Sequence, residues 1–271
     1  MLQEAESHLR CPLCRGVLAR RENSLLCAGG HCYDVARQGH VNFVPGQKES
    51  FYKKELFESR AKVFEAGVFA PVVDVLTRAL DAHVRRENPV VLDAGCGEGY
   101  YTKAVCPERR MTRIGFDLSK EAVRLAARGE KRASFFVADL ANIPLADGCC
   151  DAVLDIFTPA NYGEFRRVLR PGGLLFKLAP RSGYLAQLRE AAGDLLRHRE
   201  YDGGQVERYA REHMALLERQ EITYTLPVAR ELAGHLARMT PMLAGIDPDS
   251  LDLSGVREIT IDEALYVGAV R

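Results

Sequence analysis

The feature that most limits what this chain can become is an apolar run ending in three alternating glycines, Val91-Leu92-Asp93-Ala94-Gly95-Cys96-Gly97-Glu98-Gly99-Tyr100. A short apolar run that opens into glycines reads as a buried strand turning into a helix. Glycine permits the tight turn and lets a ligand come close to the backbone. The helix that follows presents free N–H groups and the positive end of its dipole, which suits a carboxylate- or phosphate-bearing ligand. Such a loop also occurs as a plain strand–helix turn, so the residues around it must decide.

Three aspartates carry that decision. Asp93 lies inside the end of the glycine-loop strand, where a buried carboxylate needs a strong partner. Asp117 ends a second run, Ile114-Gly115-Phe116-Asp117-Leu118-Ser119, at the place of a ribose-binding acid. Asp139 ends a third, Phe136-Val137-Ala138-Asp139-Leu140, within reach of an adenine amino group. Any one of them could cap a helix. Three at successive strand ends exceed what capping explains.

From residue 89 onward strands and helices alternate. Strands are expected over 90–94, 112–118, 134–138, 151–157 and 174–179, helices over 120–128 and 162–169, and a turn at Pro171-Gly172-Gly173. This alternation implies a parallel sheet with helices on both faces. Residues 221–228 and 258–270 are β-rich with less helix between them, and they suit an antiparallel edge pair. Upstream, Phe57, Val63, Phe64, Phe69, Val72, Val75, Leu76 and Leu80 recur at near-helical spacing, and Pro71 suits the first position of a second helix. The expected division is a small module over 1–47, a helical linker over 48–88 and an α/β domain over 89–271.

The first module is set by its cysteines. Four of the chain's eight lie in its first 32 residues, beside a histidine. Cys11-Pro12-Leu13-Cys14 and Cys27-Ala28-Gly29-Gly30-His31 have the spacing of a tetrahedral zinc site. Cys32 competes with His31 for the fourth place, although Gly29 and Gly30 leave His31 free to turn inward. A site closed by four protein ligands is structural, and a module this small needs the metal's binding energy to fold.

Charge excludes any global attraction to a polyanion, because Lys+Arg and Asp+Glu balance at 37 each. The excess is local. Residues 9–62 hold ten basic side chains, among them Arg10, Arg15, Arg20 and Arg60, against five acidic ones, and a modest excess of this kind is often a solvated surface. No stretch approaches the ~20 apolar residues of a membrane span, and the first residues are polar. A cytoplasmic protein is expected, where thiols bind metal rather than pair.

The loop Asp93–Gly99, with Phe116-Asp117-Leu118-Ser119, Ala138-Asp139-Leu140 and Arg170-Pro171-Gly172-Gly173, resembles the successive motifs of class I S-adenosylmethionine (SAM)-dependent methyltransferases. The glycine spacing departs from the dinucleotide pattern Gly-x-Gly-x-x-Gly by one residue. The resemblance implies a Rossmann-like sheet of seven strands with the last antiparallel. It places Asp117 on the ribose hydroxyls and Asp139 and Leu140 at the adenine.

A closer resemblance, to the RlmA-type guanine-N1 methyltransferases of large-subunit ribosomal RNA, spans nearly the whole chain. It rests on Cys11–Cys14, Asn23-Ser24, Cys27 with His31, Asp34–Gly39, Val41-Asn42, Glu65-Ala66-Gly67 and the run 91–102 with its Tyr100-Tyr101 pair. It implies that the zinc module grips RNA, that the target lies in a hairpin loop, and that the enzyme is a homodimer joined at the linker helices. It also places Phe69 and Tyr184 near the methionine end of the cofactor. The cofactor set is then Phe69, Asp93, Gly95, Gly97, Glu98, Gly99, Tyr100, Asp117, Leu118, Asp139, Leu140 and Tyr184. The family carries a Tyr-Ala-Pro-Cys-like stretch after its fourth strand, where this chain has Asp155-Ile156-Phe157-Thr158-Pro159-Ala160-Asn161.

Methyl transfer from a sulfonium is chiefly a matter of alignment, but guanine N1 must lose a proton. Asp155 is the candidate acceptor, with a turn-capping carboxylate as the alternative role. Two other functions use the same cofactor residues: a small-molecule methyltransferase whose zinc is purely structural, and a non-catalytic RNA-binding protein. Intact Asp93, Gly95, Gly97, Asp117 and Asp139 argue against the latter.

Overall fold

The computed structural model describes residues 2–46, 54–196, 204–243 and 245–271. Lys48, Glu49 and Lys53, part of the local charge excess, lie outside the described residues. The chain opens with α1 (Leu2–Glu6) and a three-stranded antiparallel sheet of β1 (Leu18–Arg21), β2 (Ser24–Cys27) and β3 (Cys32–Asp34). A two-residue strand follows, β4 (Val41–Asn42), and then the linker helices α2 (Lys54–Glu65) and α3 (Ala70–His83). Helix α3 starts as its sequence suggests, with Pro71 in the first turn and Phe69 at the N-cap. It buries Val72, Val75, Leu76, Ala79 and Leu80.

The alternating part comprises β5 (Val90–Ala94), α4 (Tyr100–Ala104), β6 (Thr112–Asp117), α5 (Lys120–Ala127), β7 (Ala133–Val137), β8 (Cys150–Ile156), α6 (Tyr162–Val168) and β9 (Leu169–Pro180). After it come α7 (Ala186–Ala192), α8 (Gly204–His213), β10 (Met214–Pro227), α9 (Arg230–Met239) and β11 (Glu258–Val270). Strands β5, β7 and β8 are buried at every position. Their largely apolar character follows from a parallel sheet covered on both faces, with Asp93, Ser134, Asp151 and Asp155 as the buried exceptions. Helices α5 and α6 begin where Ser119 and Asn161 cap them.

The large sheet runs in the order β10-β11-β9-β8-β5-β6-β7-β4. Strand β11 is antiparallel to both neighbours, β10 and β9, as the resemblance implied. The sheet has eight strands rather than seven. The added one is β4, which pairs in parallel with β7 through Val41 opposite Phe136, so the N-terminal segment extends the sheet's edge. One further difference concerns a local reading. The Pro171-Gly172-Gly173 turn does not precede a separate strand: it forms a bulge inside β9, where pairing with β8 steps from Cys150–Leu169 to Ala152–Leu174. The β-rich segments do form an antiparallel pair at one edge of the sheet, with β10 outermost and β11 inside it, and α9 lies between them in the chain.

The zinc module and the large sheet share one core. Leu9, Cys11, Leu18, Leu25 and Phe43 are buried in a cluster with Leu92, Phe116, Phe136 and Ile143. Backbone bonds tie the two parts together: Arg10 N donates to Pro144 O, Ala146 N to His8 O, and Phe43 N to Val137 O. The module therefore sits against the 139–146 loop that follows β7, at the carboxyl end of the parallel strands. Among the described residues, no helix is long and apolar enough to cross a membrane.

Candidate active site and metal centre

The three loop glycines all adopt left-handed backbone, with φ of 73°, 55° and 77° at Gly95, Gly97 and Gly99. At two of them a side chain is also excluded by space. A Cβ on Gly95 would lie 2.3 Å from Thr158 Oγ1, and one on Gly99 would lie 2.8 Å from the Phe135 ring. The loop is fastened to the next strand by Asp117, whose carboxylate accepts from Gly97 N at 2.9 Å and Ser119 N at 2.8 Å. Asp93, only 2% exposed, accepts from Thr102 Oγ1 at 2.5 Å and so holds the start of α4. Burial, the largest influence, pushes its carboxyl up to about 7.

At the end of β7, Asp139 accepts from Ala141 N at 2.8 Å in a tight local turn. Leu140 is partly buried beside it, and its carbonyl accepts from Asn161 Nδ2 at 3.1 Å. Leu118 is 44% exposed next to Asp117, an apolar surface at a strand end that otherwise carries acids. Backbone N–H groups, acids at the ends of β6 and β7, and an exposed leucine fit an adenosine moiety. The amino-acid end of SAM also needs a cation for its carboxylate.

Arg60 supplies one. It projects from α2 over the loop, with its guanidinium 3.2–3.5 Å from the position a Gly97 Cβ would take. Its Nε lies 3.1 Å from Glu98 Oε1, and it stands 5.7 Å over the Phe64 ring. Burial raises the Glu98 carboxyl, and the Arg60 charge opposes that rise. By sequence alone Arg60 is one of ten basic residues in a surface excess. The signal of its position over the loop is its place one helical turn before Phe64.

Aromatic rings wall the loop. Phe64 stacks on Tyr100 at 3.9 Å with planes 3° apart, and meets Phe69 edge-on at 5.8 Å. Phe69 contacts Phe157 at 6.3 Å, and Phe157 contacts Tyr184 at 5.8 Å. The structure thus links Phe69, Tyr100 and Tyr184 through Phe64 and Phe157, neither of which the motifs single out.

Strands β8, β9 and β11 build a different surface. Asp155 is fully buried, and Lys177 on β9 donates to its Oδ2 at 2.8 Å and to Thr158 O at 3.0 Å. Asp155 Oδ1 has no hydrogen-bond partner. Burial pushes this carboxyl up to about 6, with Lys177 pulling the other way. Its neighbours Leu154 and Ile156 pack in the cluster that contains Phe69, so Asp155 faces the other side of the sheet. Glu263 on β11 does face that cluster, between Ile261 and Leu265. It is fully buried opposite Pro180, with both oxygens unpartnered, and burial raises its carboxyl well above the usual range. The Tyr101 hydroxyl is likewise buried without a partner. Backbone strain also collects here: Phe157 and Leu185, after β8 and β9, have φ of 56° and 51°.

The metal centre is compact. The ligand atoms of Cys11, Cys14, Cys27 and His31 all lie within 4.8 Å of one another. Cys14 and Cys27 sulfurs are 3.6 Å apart, and His31 Nδ1 lies 3.4 Å from Cys11 Sγ and 3.3 Å from Cys27 Sγ. A tetrahedral zinc with ordinary bond lengths has edges of roughly 3.5–3.8 Å, so the donor set fits that ion. Cys32 is exposed on β3 and stands outside the group, and its place is taken by His31. Cations of the 9–62 segment are largely committed. Arg20 pairs with Glu6 at 3.2 Å, Lys62 with Glu65 at 3.3 Å, and Arg15 approaches Glu164 at 3.8 Å while donating to Ile143 O.

Comparison with known proteins adds three findings. The zinc-ribbon family described as RlmA, N-terminal, matches residues 9–50, and a methyltransferase-domain family matches 91–173. A Streptomyces fradiae protein named 23S rRNA (guanine(748)-N(1))-methyltransferase is 34% identical over 276 residues, covering 98% of each chain. A Bacillus subtilis (strain 168) protein provisionally named a 23S rRNA (guanine-N(1)-)-methyltransferase is 34% identical over 275 residues, covering 97% of each. Among solved structures, the complex of the Haloferax volcanii Trm112 methyltransferase activator with a methyltransferase of provisional assignment matches with a TM-score of 0.50. It is 18% identical and covers 81% of this chain and 99% of that one, a likeness of fold alone.

Proposed function

Because the chain belongs to the RlmA-type 23S rRNA guanine-N1 methyltransferases, in the class I SAM-dependent superfamily, we propose that it methylates N1 of a guanine in a hairpin loop of large-subunit ribosomal RNA. Two observations carry the reading. The relatives match over the full chain, and the zinc module is built into the carboxyl edge that holds the cofactor loop. That placement gives the module a second use beyond its own stability. Leu13 and Val17, 71% and 61% exposed on the knuckle, present apolar surface beside the site, and unpaired loop nucleotides offer base faces to such a surface.

In this reading 1–47 is the zinc module, 48–88 the linker and 89–271 the methyltransferase domain. SAM, when bound, supplies an electrophilic methyl group. Asp117 and Leu118 hold its ribose side, Asp139 and Leu140 border the adenine, and Gly95, Gly97 and Gly99 admit it close to the backbone. Arg60 and Glu98 face its charged amino-acid end, with Phe69, Tyr100 and Tyr184 closing around them. Asp93 acts through Thr102, keeping α4 in place. Asp155 is the candidate acceptor of the N1 proton by its unpaired oxygen, but it is fully buried, held by Lys177 and turned to the face of the sheet away from Phe69, and its substitution decides whether it acts there. Cys11, Cys14, Cys27 and His31 bind zinc. The linker helices are the surface for a second copy, and a ribosomal substrate places the enzyme in the cytoplasm.

The test is transfer of labelled methyl from SAM to total RNA of a strain lacking the gene, followed by nucleoside analysis. Label in 1-methylguanosine from 23S rRNA is expected. Cofactor binding without any RNA label would replace this reading with a small-molecule acceptor.

A further inference from the structure

We propose that the Phe157 ring is the platform on which the target guanine stacks for methyl transfer. The inference rests on the rRNA reading above and adds to it the surface that receives the base.

Phe157 combines three properties that conflict unless the ring has a ligand. It is a large apolar side chain left 40% exposed, whereas Phe69 in the same ring group is 1% exposed. Its backbone is left-handed, with φ of 56°, a conformation that an aromatic residue adopts at a cost and that glycine or asparagine takes readily. The segment around it is also pinned. Phe157 N donates to Leu178 O at 3.2 Å, and Thr158 Oγ1 donates to Ile156 O at 3.3 Å. The Thr158 side chain meanwhile fills the space against Gly95. An exposed phenyl ring is thus held rigidly at the edge of the glycine loop, against its own backbone preference.

The ring's neighbours explain its fixed pose. Phe69 meets it at 6.3 Å with planes 70° apart, and Tyr184 at 5.8 Å with planes 38° apart. A purine taken out of its stack needs a flat apolar surface, and stacking restrains the plane of the base without using its hydrogen-bonding edge. That matters for N1 chemistry. N1 lies on the edge that must face the methyl group, so a face-on contact leaves it free.

The experiment measures kcat/KM for unmethylated 23S rRNA, SAM affinity and Tm in Phe157→Leu, Phe157→Gly and Phe157→Tyr of the full chain. Loss of a stacked base should lower kcat/KM for RNA roughly ten- to hundred-fold in Phe157→Leu and Phe157→Gly, with SAM affinity within about twofold. Phe157→Tyr, which keeps the ring, should recover most of the activity. Phe157→Gly relieves the left-handed strain but gives up the ring's packing on Phe69 and Tyr184, so Tm is read in all three variants and a Tm near wild type separates lost activity from lost folding. Wild-type kcat/KM in Phe157→Leu would overturn the proposal, and so would an equal loss of SAM affinity, which would make the ring part of the cofactor site. A wild-type enzyme that binds SAM but methylates no RNA would instead remove the rRNA reading, and the platform with it.

Discussion

At the ends of β5, β6 and β7 the acids are satisfied: Asp93 by Thr102, Asp117 by Gly97 and Ser119, Asp139 by Ala141. At the end of β8 and at Glu263 on β11 they are not. Asp155 keeps one oxygen unpartnered, Glu263 keeps both, and the loops that follow β8 and β9 hold Phe157 and Leu185 in left-handed backbone. In the first half the strand-end acids are spent on the protein's own backbone and hydroxyl groups, and the unpartnered buried oxygens are those of Glu98 beside Arg60 and the Tyr101 hydroxyl. The second half must receive a base extruded from RNA, and unspent hydrogen bonds and strain are the marks of such a site. The halves also differ in support. The zinc module braces the first through β4 and the 139–146 loop, and nothing comparable in the described residues braces the second.

Removing the metal tests that difference most severely. Structural zinc contributes on the order of 10 kcal/mol to the folding of small zinc modules. Chelation should therefore expose residues 9–46 and the 139–146 loop to hydrogen exchange, while β8, β9 and β11 keep their protection. Uniform loss of protection across the sheet would show that the two halves are one cooperative unit and that the contrast in support is not real.

Asp155→Asn probes the second half alone. If Asp155 takes the N1 proton, turnover should fall by ~100-fold or more while SAM affinity stays within about twofold. The pH dependence is the sharper readout. Burial holds this carboxyl at about 6, above its unfolded value near ~4. The native state therefore binds the proton more tightly than the unfolded one, so its contribution to stability is complete below the unfolded value and is lost as pH rises through about 6. Activity should run the opposite way, climbing through about 6 as the carboxylate forms. A variant with the same rising limb would acquit Asp155 and turn attention to Glu263→Gln.

The two halves were unequally legible before the fold was known. Glycines at fixed spacing and acids at strand ends are local signals, because a tight turn and a ribose contact each need one residue type at one place. The cysteine spacing was legible for the same reason. Arg60, Lys177 and Glu263 carry no such signal. Each acquires its meaning from a partner far away in sequence: Arg60 from Glu98, Lys177 from Asp155, Glu263 from the register of β11 against Pro180. Phe157 was hidden differently, since no composition rule foretells a left-handed aromatic. Strand β4 was missed because two residues make a ladder only when β7 stands beside them.

Arg60 offers the gentlest test, because it decides whether the linker belongs to the first half or to an RNA-binding surface. Counted by sequence it is one cation in a basic excess, and as such its loss should weaken RNA binding slightly and reduce the salt dependence of that binding. Placed over Gly97 and beside Glu98, it faces the carboxylate of the cofactor instead. A charge-assisted hydrogen bond of this kind is worth ~1.5–3 kcal/mol, so Arg60→Met should weaken SAM binding by roughly ten-fold or more and leave the salt slope for RNA unchanged. Calorimetry with SAM and a salt titration of RNA binding, run on the same variant, distinguish the two. A changed slope with unaltered SAM affinity would return Arg60 to the surface. The linker helix would then cover the cofactor loop without taking part in it.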